Sequence, residues 1–159
     1  MPNILFVCHG NICRSTMAES VFSDMLNKRN VKNINVSSAA THNEEIGNPP
    51  HYGTREKLRR EGIPVIPHKS RLLTQADGDQ YDFIIGMDEE NLHHMHRILG
   101  EEHKHKISLL LDYTPDPRAI ADPWYTGNFD QTYQDIAEGC TGLLNYLYRE
   151  GYLHSEKKE

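Results

Sequence analysis

Ile4-Leu5-Phe6-Val7-Cys8-His9-Gly10-Asn11-Ile12-Cys13-Arg14-Ser15 joins four consecutive apolar residues to a short glycine-containing loop and then to a segment of different period. An apolar run of this length ending at a turn reads as a strand buried on both faces, over residues 3–8. Past Ser15, the residues Met17, Ala18, Val21, Phe22, Met25 and Leu26 recur at three-to-four spacing and form one face of a helix, with Ser15 or the loop before it as its cap. A loop between a strand and a helix start can cradle an anion with its N–H groups and the positive end of the helix. Here Cys8 and Arg14, separated by five residues, place a nucleophilic sulfur and a bidentate cation around one small anion.

Ile34 and Val36 suggest a second strand, ending near Ser37-Ser38-Ala39-Ala40-Thr41, and Gly47, Asn48, Pro49 and Pro50 exclude regular structure before His51. A polar helix from about Gly53 to Glu61 stops at Gly62, with Pro64 close behind. Phe83, Ile84, Ile85 and Met87 make a third strand, and Asp88 is placed to cap a helix running to about Leu99. Ile107, Leu109, Leu110 and Leu111 make the fourth. Residues 112–128 read as irregular because of Pro115, Pro117, Pro123 and Gly127, whereas Tyr133, Ile136, Ala137, Cys140, Leu143, Leu144 and Leu147 mark a long final helix. Strands alternating with helices predict an α/β three-layer sandwich: a four-stranded parallel sheet, flavodoxin-like, with the phosphate-binding loop after strand 1 and the ligand site at the carboxyl ends of the strands.

With 159 residues and 37% hydrophobic content, the chain suits one domain over residues 1–154, followed by a charged tail, 155–159, expected to be disordered. A net charge of -6 argues against a generic nucleic-acid or membrane-surface binder, so an anion must be caught locally. No stretch is apolar for long enough to span a bilayer and no leader is evident, which predicts a soluble cytoplasmic protein, expected as a monomer with a weak dimer left open. Three cysteines suit reduced thiols with individual roles better than a disulfide scaffold.

Cys8 lies where an α/β sheet holds its ligands and just before a helix N-terminus, which favours thiolate; alone it would read as a structural cysteine. Its neighbours decide otherwise. Arg14 offers a planar fork for two phosphate oxygens, Ser15 can donate to the sulfur, Gly10 allows close approach or a positive φ, and Asn11 can brace the loop.

At these residues the chain resembles the low-molecular-weight protein tyrosine phosphatases, whose signature is Cys, five residues, Arg and Ser or Thr. Further blocks fall in family order: Ser38-Ala39-Ala40-Thr41, Ile46-Gly47-Asn48-Pro49-Pro50, Gly62-Ile63-Pro64, His68 with Arg71, Met87-Asp88 with Asn91, and Asp122-Pro123 followed by two aromatics and Gly127-Asn128. The resemblance covers essentially the full chain. It implies hydrolysis of phosphotyrosine in proteins or peptides with no cofactor or metal, with Cys8 as nucleophile, Arg14 as phosphate clamp and Asp122 as general acid and base. Composition alone does not choose Asp122 over Asp88, Asp112, Asp116 or Asp130. The resemblance further implies that Asn11, Ser15, Ser38 and His68 hold the loop in shape, although His68 by itself reads as a surface histidine. Trp124 and Tyr125 would wall the entrance against a phosphotyrosine ring, Trp124 otherwise being a packed aromatic, and Ile12 adds apolar contact. Glu44 and Glu45 would form the opposite wall and bias substrate choice.

The chain departs from the family pattern at Thr16, where Pro is common, at His9 for an aliphatic residue, and at Trp124 for Tyr. His9 either adds positive charge near the anion at low pH or fills surface. Ile12 favours phosphotyrosine, since relatives acting on phosphoarginine tend to carry Thr there. Cys13 is a candidate redox partner of Cys8 or else a buried residue at a helix start, and Cys140 reads as core. His93, His94, His96, His103 and His105 read as a solvated histidine-rich surface, not a metal site. Two rivals are an arsenate reductase, which needs further relay cysteines, and a non-catalytic phosphate binder, which needs no general acid.

Overall fold

The computed structural model describes residues 2–154; the tail expected to be disordered lies outside the described residues. In chain order the elements are β1 (Asn3–Cys8), α1 (Arg14–Lys28), β2 (Asn35–Ala40), α2 (Tyr52–Arg60), α3 (Gln75–Gln80), β3 (Phe83–Gly86), α4 (Glu89–Leu99), β4 (Ile107–Leu109), α5 (Pro123–Thr126) and α6 (Phe129–Arg149). The four strands form one parallel sheet in the order β2-β1-β3-β4, the expected doubly wound, flavodoxin-like arrangement. In register, Phe6 faces Ser38 on one side and Ile85 on the other.

Alternation along β1 divides the core. Ile4, Phe6 and Cys8 face a cluster with Met17, Phe22, Leu143 and Leu147 from α1 and α6. Leu5 and Val7 face the other way, towards Ile84, Met95 and Leu99 beside α4. Both faces of the central strand are covered, so its sequence is uniformly apolar and not alternating.

Three stretches differ from the sequence reading, each for a local reason. The fourth strand ends at Leu109, because the Asp112 carboxylate accepts the Leu109 N–H at 2.9 Å and turns Leu110–Tyr113 into a 3-10 helix. Residues 112–128 are not wholly irregular, since Asp122 caps the short helix α5 with Pro123 in its first turn. Helix α3 lacks an apolar period and is held instead by a capping box between Thr74 and Asp77. Of the two caps expected for α1 the structure uses the loop: Cys13 is the N-cap, with no side-chain hydrogen bond, so Ser15 lies inside the helix and its hydroxyl is used elsewhere. As expected, Asp88 caps α4, in a reciprocal pair with Asn91. No helix among the described residues is long and apolar enough to cross a membrane.

Candidate active site

Cys8 ends β1 at the carboxyl edge of the sheet, and residues 9–13 curl from it into the first turn of α1. The loop's carbonyls are tied outward: Cys8 to the Thr41 N–H, His9 to the His42 N–H, Gly10 to the Ser70 hydroxyl, and Ile12 to the His51 N–H, at 2.7 to 3.1 Å. Among the described residues, none of the backbone N–H groups of residues 9–13 donates to a protein acceptor. Carbonyls turned out and amides left unpaired are the electrostatic arrangement of an anion cradle. The positive φ belongs to Asn11 (59°) and not to Gly10. Gly10 serves the other purpose expected of it, since a Cβ there would stand 3.3 Å from Glu45 Cγ.

Asn11 is buried and uses every polar valence of its amide. Its Nδ2 donates to Ser15 Oγ (2.8 Å) and Ser38 Oγ (2.9 Å), while its Oδ1 accepts from His68 Nε2 (2.7 Å) and the Arg71 N–H (3.2 Å). These donations direct both hydroxyl protons. Ser38 donates onward to Glu19 at 2.6 Å, and Ser15, 3.1 Å from Cys8 Sγ, has its own O–H free for the sulfur. The Ser15 N–H also donates to that sulfur, at 3.4 Å. Burial, and then Arg71, lower the His68 pKa, which keeps the ring neutral with its proton on Nε2. The structure therefore brings Asn11, Ser15, Ser38 and His68 into one network around the loop. Glu19, Ser70 and Arg71 belong to it as well, and only the block containing His68 and Arg71 pointed to any of these in the sequence. Burial pushes the Glu19 carboxyl up to about 6 against the Ser38 hydrogen bond and the Arg71 charge.

Arg14 is 2% exposed and clamped from three directions. One amino group donates to Asp88 Oδ2 (2.6 Å) and the Ile120 carbonyl (2.8 Å), and the other to Asp122 Oδ2 (3.4 Å). Burial alone would lower its pKa, but the Cys8 sulfur, Asp88 and Asp122 together raise it, so the guanidinium stays charged. Its Nε–H is buried and has no partner among the described residues. Asp88, expected from the sequence as a helix cap, does two jobs, since its other oxygen accepts the Asn91 N–H at 2.8 Å. Asp122 is likewise divided, with Oδ1 accepting the Trp124 N–H at 3.0 Å.

A cavity of about 220 Å³ opens above the loop. Cys8, Ile12 and Asp122 line it, with Glu44 and Glu45 on one side and Trp124 and Tyr125 on another. The aromatics are 56% and 81% exposed, so Trp124 is not a packed core residue. His51, unremarked in the sequence, supports this wall: its ring stacks on Phe129 (5.4 Å between centroids) and meets Trp124 edge-on (5.6 Å).

Cys13 lines the same cavity, and burial, helped by the nearby charges of Cys8 and Asp122, pushes its thiol up to about 12. All three cysteines are free thiols, and Cys140 is fully buried in the core, as expected. Two histidines depart from the expected solvated surface. His103 is 6% exposed, its ring packed in the space left by the missing side chain of Gly78 with Nε2 3.2 Å from Asp79, and His94 packs edge-on to His42 at 4.5 Å. Among the described residues no three His, Cys, Asp or Glu groups are arranged to hold a metal ion.

Residues 3–153 match a sequence model of a family described as low molecular weight phosphotyrosine protein phosphatase. The chain is 43% identical over 156 residues to the low molecular weight protein-tyrosine-phosphatase YfkJ of Bacillus subtilis, covering 96% of this chain and 100% of that protein. The crystal structure of YfkJ superposes with a TM-score of 0.90, over 94% of this chain and 96% of that one. The low molecular weight phosphotyrosine protein phosphatase of Homo sapiens is 40% identical over 148 residues, 89% of this chain and 93% of its own length. A Drosophila arginine phosphatase superposes with a TM-score of 0.81 at 32% identity, over 92% of this chain and 97% of that one.

Proposed function

This chain belongs to the low-molecular-weight protein-tyrosine-phosphatase family and is a phosphatase, and from that premise we propose that it hydrolyses phosphotyrosine monoesters through a cysteinyl-phosphate on Cys8. Cys8 attacks phosphorus in line as a thiolate, while Arg14 and the unpaired amides of residues 9–13 hold the equatorial oxygens. The S–P bond forms as the P–O bond to the phenol breaks, and Asp122 gives its proton to the leaving oxygen. Asp122, now a carboxylate, takes a proton from water. The resulting hydroxide attacks phosphorus and returns the sulfur as thiolate, which Ser15 stabilises by hydrogen bonding. An incoming oxyanion would also satisfy the buried Nε–H of Arg14, removing the penalty of an unpaired donor.

The observation that carries this reading is the juxtaposition of a sulfur held by Ser15, five amides without acceptors among the described residues and a carboxylate on the same cavity. Hydrolysis of an aryl phosphate, with and without EDTA, tests it beside Cys8→Ser and Asp122→Ala. Activity should persist in EDTA, vanish in Cys8→Ser and fall steeply in Asp122→Ala; activity lost in EDTA or surviving Cys8→Ser refutes the mechanism.

Likeness to an arginine phosphatase favours phosphoarginine as a second reading. Against it stand the apolar Ile12 and the aromatic pair Trp124 and Tyr125 on the cavity, which suit a flat ring. Phosphotyrosine and phosphoarginine peptides assayed side by side decide between them. As a further part of this proposal, peroxide oxidises Cys8 to a sulfenic acid, which condenses with the Cys13 thiol to form a disulfide and release water. The high Cys13 pKa makes that resolving step slow. Mass spectrometry of peroxide-treated protein should find the Cys8–Cys13 bond, and sulfinic Cys8 alone would exclude it.

A further inference from the structure

Among the described residues, the charged side chains on the cavity are Glu44, Glu45 and Asp122, His9 is the one lining residue that can gain a positive charge, and no lysine or arginine lines it. Arg14 beneath it is buried and committed to Asp88 and Asp122. Building on the phosphotyrosine reading, we propose that this mouth selects phosphotyrosines flanked by lysine or arginine, with Glu44 and Glu45 reading the flanking cation and His9 tuning them.

Both carboxylates are held at the rim. Glu45 packs against Gly10 and accepts from Asn48 Nδ2 at 2.9 Å, while Glu44 lies 2.9 Å from His9 Nε2. His9 is faced from two elements. Glu44 and His42 approach from the loop after β2, with His42 stacked on its ring at 4.0 Å, and Glu90 approaches from α4, 3.6 Å from His9 Nδ1, with His94 behind His42. Protonated His9 forms ion pairs with Glu44 and Glu90 and competes with a substrate cation for Glu44. Neutral His9 leaves the carboxylate free. Burial, and then the neighbouring His9 and His94, lower the His42 pKa. Selectivity therefore rises with pH across the range, about pH 5 to 8, in which imidazoles change charge.

The test uses three phosphotyrosine peptides identical except for Lys, Gln or Glu beside the phosphotyrosine, assayed at low ionic strength. An exposed charge pair is worth about 1.5- to 5-fold, and exchanging Lys for Glu turns attraction to two carboxylates into repulsion. The Lys-to-Glu ratio of kcat/KM should be about tenfold at pH 8, about threefold at pH 6, and should shrink at high salt. Taking a ratio cancels the ionisation of the phosphate and of the catalytic groups, which both peptides share. Glu44→Gln combined with Glu45→Gln should bring the ratio within twofold of one, and His9→Gln should make it the same at both pH values. A wild-type ratio near one, a ratio unchanged in the double variant, or a pH dependence surviving His9→Gln overturns the proposal. Absence of turnover of p-nitrophenyl phosphate by the same wild-type preparation would instead overturn the phosphatase reading beneath it.

Discussion

Replacing Asp88 by asparagine separates the two jobs of one carboxylate. Its Oδ2 accepts from Arg14 at 2.6 Å, and the pair is largely shielded, with side chains 3% and 27% exposed. Its Oδ1 accepts the Asn91 N–H and caps α4, a role asparagine performs equally well. Asp88→Asn therefore keeps the helix cap and removes a charge-assisted hydrogen bond, leaving Arg14 held by the Ile120 carbonyl and the longer contact to Asp122. Hydrogen bonds to charged groups contribute about 1.5–3 kcal/mol. If that loss falls on the orientation of the guanidinium in the transition state, kcat/KM for an aryl phosphate drops about 10- to 150-fold. Asp88→Ala should show a similar kinetic loss and a further loss of about 1 kcal/mol in urea unfolding, from the missing cap. A kcat/KM for Asp88→Asn within twofold of the unaltered protein refutes the idea that Asp88 holds the clamp, and equal stability of the two variants refutes its role as a cap.

Asp122→Asn should lower kcat/KM by about 10²- to 10⁴-fold on phenyl phosphate and by less on p-nitrophenyl phosphate, whose leaving group needs less protonation; equal losses on both substrates would remove Asp122 as the acid. Glu19 titrates at about 6 in the folded protein because it is buried, above its unfolded value of 4.5. Its contribution is thus fully present below pH 4.5 and lost as pH rises through 6, by about 2 kcal/mol. Glu19→Gln, which keeps an acceptor for Ser38, should abolish that part of the pH dependence of the urea midpoint, and an unchanged slope would contradict it. Gly53→Ala drives a methyl group into the ring of Phe129; thermal unfolding should show a loss of about 1–3 kcal/mol, and a neutral result would show that α2 and α6 can separate without penalty.

Cys8, Arg14 and the helix after them were legible because strand, loop and helix follow one another without interruption, so apolar run, glycine and 3.6-residue period announce themselves in order. The cap of α4 was legible for the same reason, since Asp88 and Asn91 are three residues apart. What that reading missed about Asp88 is its hold on Arg14, 74 residues away, a contact made only because β1 and β3 are neighbours in the sheet. The Asn11 network has the same character, with partners 27 and 57 residues distant. Local preference was overruled at two places, one in the loop and one in the first turn of α1. The Ser15 hydroxyl meets the Cys8 sulfur, at 3.1 Å, and does not cap a helix, and Asn11 takes the left-handed conformation beside a glycine that does not.

By itself, the sequence determined the order of the strands and of the longer helices, the cysteine and arginine at either end of the cradle and, through resemblance to a family, the aspartate proposed as acid more than a hundred residues beyond them, because periodicity and chemical type are properties of the chain alone. Only the tertiary structure decided which carboxylate holds Arg14, which amides are left for an anion, and that His9 stands among two glutamates and a second histidine at the mouth. Those are facts of distance and burial. They arise where residues from different elements share one small, largely dry space, in which each polar group must find a partner.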